Sequence, residues 1–258
     1  MLNPEDIQSL NQIGQALWAN SEQSRKATID AVSAVSLLSL TPTQALERAS
    51  AALVERATRD GTRANASALH LPFFRLSSQE RFLLVALHLE RWSYARTAAV
   101  LEVAPAKVET MAWKLRTLLD AQVLKGSAGR GGATGNPPKT ASCPSFDALT
   151  PWTQKFLDEE YGAKERVFLQ NHLMACDSCR DSLSRCRALY FRVEAILPRA
   201  DSSQNDSLIQ VYTQLRHNLN PHERPLKAAL AIFLRRTEVQ LVLAGALTLL
   251  AVKIFQLG

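Results

Sequence analysis

The sequence predicts an all-α protein, and three observations carry that prediction. Ala, Leu, Arg, Gln and Glu are abundant while β-branched runs are scarce, which favours helix over sheet. Helix-start signals recur along the chain. Apolar residues return at spacings of three and four, and no segment alternates in strand fashion.

The elements follow in order. Asn3 before Pro4 reads as an N-cap with proline at the first helical position, and Thr41 before Pro42 repeats the pattern. Ser77 and Glu80 form a capping box ahead of the apolar run FLLVALHL. That run predicts a helix over 79–89, ending near Arg91. A short helix over 94–101, a tight break at Glu102–Val103 and a longer helix from about Pro105 come next. Thr150 with Pro151 opens a further helix.

Between these groups lies GSAGRGGATGNPPK, which holds half of the 10 glycines and has no apolar periodicity. It reads as a flexible linker. The chain is therefore divided into 1–70 (helical), 71–125, a Gly/Pro linker over 126–140, 141–200, a linker with amphipathic helices over 201–236, and 237–258. Within this last piece, VQLVLAGALTLLAVKIFQL (239–257) is apolar but for Gln240, Thr248, Lys253 and Gln256. As a helix it spans roughly 28 Å, close to the thickness of a bilayer core. It is expected to be a transmembrane helix. Arg235 and Arg236 just before it are expected to keep the body on the cytoplasmic side of a single-pass span. Residues 1–20 carry Glu5 and Asp6 and lack the order of a signal peptide.

The 258 residues are 47% hydrophobic and 21% charged, which excludes wholesale disorder. Four cysteines are too few for a disulfide scaffold. The net charge of +6 is modest, and most of the excess lies in 71–142. Any nucleic-acid contact is expected there, with Lys107, Lys114 and Arg116 available for phosphates. Ala98, Ala99, Leu101, Val103 and Val108 have the spacing that lets two short helices cross as a helix-turn-helix.

Residues 71–120 resemble region four of bacterial sigma factors of the extracytoplasmic-function type. The match rests on Leu71-Pro72, Arg81 with its apolar run, Ser93-Tyr94, Ala98, Leu101, Val103 and Val108. The resemblance implies a module that reads promoter DNA. Three positions depart from it: Glu102 stands where glycine is usual, and Glu109 and Met111 stand where basic residues are usual. Residues 19–72 hold no aromatic, so 1–70 is expected to be at most a degenerate sigma region two that opens no promoter by itself.

His172, Cys176 and Cys179 form H-x3-C-x2-C, a spacing that gathers three borderline-to-soft donors on one side of a helix or of a helix ending in a turn. A closed zinc site needs a fourth ligand. Cys143 is the choice, and Cys186 is the rival, able to join only if its helix is broken. The segment resembles the zinc-binding anti-sigma domain, through Phe156-Leu157-Asp158-Glu159, Glu165-Arg166, His172-Leu173, Cys176 and Cys179-Arg180. That resemblance implies a structural Zn2+, redox-labile in some members, that ties an upstream segment to a later helix. It also implies binding to a sigma factor, which keeps that factor from RNA polymerase.

Leu183, Cys186, Leu189, Tyr190, Val193 and Leu197 form an apolar stripe that reads as core or as a face laid on a partner helix. No catalytic constellation is visible, so neither an enzyme nor a small-molecule substrate is expected. The expected function is a membrane-associated transcription regulator. In it, a sigma-like DNA-binding module is joined to a zinc anti-sigma module that controls it, or that controls a separate sigma factor. The alternative is a membrane-anchored interaction adaptor without DNA binding. Control in cis requires 141–200 to touch 71–125.

Overall fold

The computed structural model describes residues 2–36, 38–61, 71–127, 143, 152–200, 208–211 and 213. Among them every regular element is helical. The predicted membrane span over 237–258, most of the linker, and most of 201–236 lie outside the described residues. Within the described residues, no helix is long and apolar enough to cross a membrane.

Helices α1 (Pro4–Leu17), α2 (Ser21–Ser36) and α3 (Pro42–Arg59) pack on one another. Two of them start where the sequence marks a start. The Asn3 and Thr41 side chains each accept from the third helical amide, and Asp6 and Gln44 return the bond to the cap residue's own N–H. Gly14 is required where α1 meets α2: a Cβ there would stand 2.6 Å from Thr28 Oγ1 and 2.8 Å from Ser24 Oγ.

A 3-10 turn (Pro72–Arg75) leads into α4 (Ser78–His88), whose Ser77/Glu80 capping box forms as expected. Helix α5 (Tyr94–Leu101) ends at Glu102, which adopts left-handed φ 55°, and α6 (Pro105–Ser127) follows. Both starts match the sequence reading, as does the break. Helix α6 ends two residues into the segment assigned to the linker. Helix α4 is buried on every side from Phe82 to Leu87, which makes it the central post of the fold. It touches α1, α3, α5 and α6.

Helices α7 (Trp152–Leu157), α8 (Ala163–Ala175) and α9 (Asp177–Ala195) come next. The α9 stripe is buried against α6. Cys186, Leu189, Tyr190, Val193 and Leu197 belong to the same continuous core as Leu84, Ala112 and Leu119. A smaller core of Trp152, Leu169, Cys179 and Leu183 lies under the α7–α9 group itself. At the far end of α9, the Gln12 side chain of α1 donates to the Pro198 carbonyl (2.6 Å) and accepts from the Ala200 amide (2.8 Å).

Candidate metal centre and the interface beside it

The site is built by breaking a helix at a cysteine. Cys176 has extended backbone (φ −116°, ψ 105°) and sits between the end of α8 and the start of α9. His172 therefore lies in the last turn of α8 and Cys179 in the first turn of α9, rather than along one helix. Arg180 fixes this corner by donating through Nη1 to the Leu173 and Met174 carbonyls, both at 2.9 Å, which satisfies two free carbonyls at the end of α8. The sequence marks Arg180 only as part of a motif and gives no hint of this capping role.

Cys143, upstream of α7 in the chain, reaches the same corner. Its Sγ is 3.5 Å from His172 Nε2, which is 3.2 Å from Cys179 Sγ, and the four donor atoms of Cys143, His172, Cys176 and Cys179 all lie within 4.8 Å of one another. A tetrahedral zinc with ordinary bond lengths needs donor separations of about 3.5–3.8 Å. The group fits a metal ion such as zinc. With four protein donors it fits a closed, structural site and leaves no position for a reacting water. Burial raises the Cys179 thiol to about 12, helped by hydrogen bonds and charge from Cys143 and Cys176. A divalent cation reverses that preference by taking the thiolate.

Cys186 is absent from the group. It lies further along the unbroken α9, buried in the large core, where burial raises its thiol pKa. The structure thus brings Cys143, and not Cys186, within reach of the other three donors.

The three residues expected at phosphates part company. Lys107 and Lys114 are exposed on the outer side of α6. Arg116 is not: its side chain is 0% exposed, and it is corrected here from a phosphate contact to an interior ion pair. Its Nη1 and Nη2 donate to Asp158 Oδ2 and Oδ1 at 2.7 and 2.8 Å, and its Nε donates to His88 Nε2 at 2.8 Å. The Tyr190 ring covers one face of the guanidinium at 4.1 Å. The cause is helical phase. Arg116 lies four residues after Ala112 and eight after Val108, on the side of α6 that faces inward.

Burial works against the charge of Arg116, but Asp158 and the two tyrosines outweigh it and raise the pKa. His88 must be neutral to accept from Arg116. Burial, then the positive charges of Arg116 and Arg91, hold its pKa well below the ordinary value. Tyr94 donates its hydroxyl to Asp158 and its backbone amide to Glu160. Lys155 pairs with Glu109 at 3.5 Å, Gln154 Nε2 donates to the Glu109 carbonyl at 2.9 Å, and Arg192 pairs with Asp120. The expected contact between 141–200 and 71–125 is present. It runs along one flank of α6, with Glu109, Arg116 and Asp120 all engaged.

No protein-family model matches the chain, and neither a curated protein nor a solved structure matches it.

Proposed function

We propose that this chain is a membrane-associated transcription regulator in which a metal-clasped helical module (141–200) controls a sigma-like helix-turn-helix module (71–125) in cis. One observation carries the reading. A fully buried guanidinium of the recognition helix is neutralised by a carboxylate of the other module, across a flank that also holds Tyr94 and Glu109. An isolated buried charge is too costly to persist, so the pair commits the two modules to each other. The donor set Cys143, His172, Cys176 and Cys179 would hold Zn2+ and so tether the chain at Cys143 to the α8–α9 corner. Zinc there supplies structural cross-linking only.

Lys107 and Lys114 remain outward and would contact phosphates, while the segment after 236 would bind the membrane. Retention of the full chain on promoter DNA tests the DNA-binding part. Binding should fall steeply with salt. Replacing Lys107 and Lys114 together by alanine should reduce the slope of log K against log salt by about 2, close to one for each phosphate no longer neutralised. Salt-independent retention, or none with or without metal, removes DNA from the reading.

A second reading is a membrane-anchored adaptor that engages a sigma factor or RNA polymerase without touching DNA. The outer side of α6 favours it, because Trp113 (37% exposed) and Leu118 (43%) stand among its two lysines. That mixture suits a protein helix as well as a phosphate backbone.

A further inference from the structure

The turn after α7 has a backbone feature that the metal site does not explain. Glu159 is not glycine, yet it adopts φ 61°. A left-handed residue bearing a side chain is strained and persists only where its surroundings hold it. Two things follow from the conformation. The Glu159 side chain faces outward, 77% exposed, and its carboxylate lies 3.8 Å from Arg166. Its two neighbours, Asp158 and Glu160, both face the helix-turn-helix. Asp158 grips Arg116 through both oxygens and takes the Tyr94 hydroxyl, and Glu160 takes the first amide of α5. One carboxylate thus meets a guanidinium and the other meets the positive end of a helix dipole.

The receiving side is equally specific. Arg116 turns its bidentate edge to Asp158 because its Nε is held from behind by His88, and the Tyr190 ring, from α9 of the other module, covers its face. Tyr94 offers a hydroxyl and an amide from the same residue. The donors come from α5 and α6 and suit anionic oxygen, while His88 of α4 accepts from Arg116 and sets its orientation.

From this geometry we propose that Arg116, Tyr94 and His88 form a socket for acidic peptide, reading an Asp-x-Glu pair at the end of a short helix. Asp158 and Glu160 fill that socket in cis. A partner protein competing for this flank must offer the same pair of carboxylates. The proposal deepens the cis-control reading above and rests on it for its purpose, though the recognition itself does not need the metal.

Hydrogen exchange on the full metal-loaded chain tests it. Asp158→Asn and Glu160→Gln should each speed exchange at the α5 and α7 amides by about tenfold or more, the loss of a hydrogen bond to a charged group. Metal content should stay unchanged. Asp158→Asn combined with Arg116→Gln should fall well short of the sum of the two, since both break the Arg116–Asp158 pair. Should Asp158→Asn fail to fold, Glu160→Gln carries the test from the less buried end of the pair. A synthetic peptide copying residues 151–162, added at about millimolar concentration to match a short tether, should restore protection to Asp158→Asn. The same peptide with Asn and Gln at the two acidic positions should not. Restoration by both peptides or by neither, exchange unchanged in the single variants, or fully additive effects overturn the proposal. Wild-type protein that binds no metal yet shows these effects would sink the clasp and leave the socket standing.

Discussion

Replacing Cys143 with serine separates a clasp from a mere binding corner. The other three donors belong to a single α8–α9 hairpin, already fixed by Arg180 and by the bond from the Cys176 amide to the His172 carbonyl at 3.0 Å. Cys143 arrives from 29 residues upstream and is the only donor outside that hairpin. Cys143→Ser should therefore leave zinc bound, but more weakly. Structural zinc with four ligands is bound by about 10–16 kcal/mol. A quarter of that is about 2.5–4 kcal/mol, or roughly 10²–10³-fold in dissociation constant. Competition against a chromophoric chelator measures the difference directly. Cys186→Ser is the matched control, because its thiol lies in the other core, and its zinc affinity should equal wild type. Undiminished affinity in Cys143→Ser, or a loss in Cys186→Ser, refutes the ligand set and with it the tether.

The remaining expectations concern folding and pH. Because α9 shares one core with α4 and α6, residues 71–125 and 152–200 should melt in a single transition with metal present. Leu119→Ala, at a fully buried position, should destabilise that whole unit by about 2–5 kcal/mol; calorimetry showing two separable transitions contradicts the shared core. Glu102→Gly should stabilise the chain by up to about 1 kcal/mol in denaturant titration, since relief of left-handed strain exceeds the entropy glycine adds to the unfolded chain. The metal-free protein should lose stability as pH rises from near 9, the thiol's ordinary value, towards about 12. The folded state holds the Cys179 proton more tightly than the unfolded chain does, so the contribution is complete below that window and fades through it. Zinc-loaded protein should show no such decline, and equal alkaline profiles for the two forms would contradict this.

Much of the local structure was legible in the residues. Asn3, Thr41 and Ser77 announce their helices because capping is local chemistry, satisfied within three residues. The break at Glu102 and the gathering of His172, Cys176 and Cys179 were legible for the same reason. What stayed hidden was long-range. Periodicity marks the apolar side of a helix, whereas α6 buries a second, charged flank. Glu109, Arg116 and Asp120 recur there at spacings of seven and four, and each meets a partner beyond the linker: Lys155, Asp158 and Arg192. The signal existed as an alternation of sign along one flank, mirrored by opposite charges in α7–α9. Without knowing that the two sets touch, Arg116 looks like any other surface arginine. Cys143 could be preferred to Cys186 from helix continuity, but only the fold shows that α9 is unbroken between Cys179 and Cys186.

The two hydrogen bonds between Gln12 and the backbone of Pro198 and Ala200 have a mechanical consequence. They rivet the chain just past the end of α9 to α1, near the N-terminus. Tension arriving from beyond residue 200 is shared with α1 before it can peel α9 away. If the tail is held at a surface, the buried Leu208 and the Gln12 rivet take up the load before the flank of α6 does.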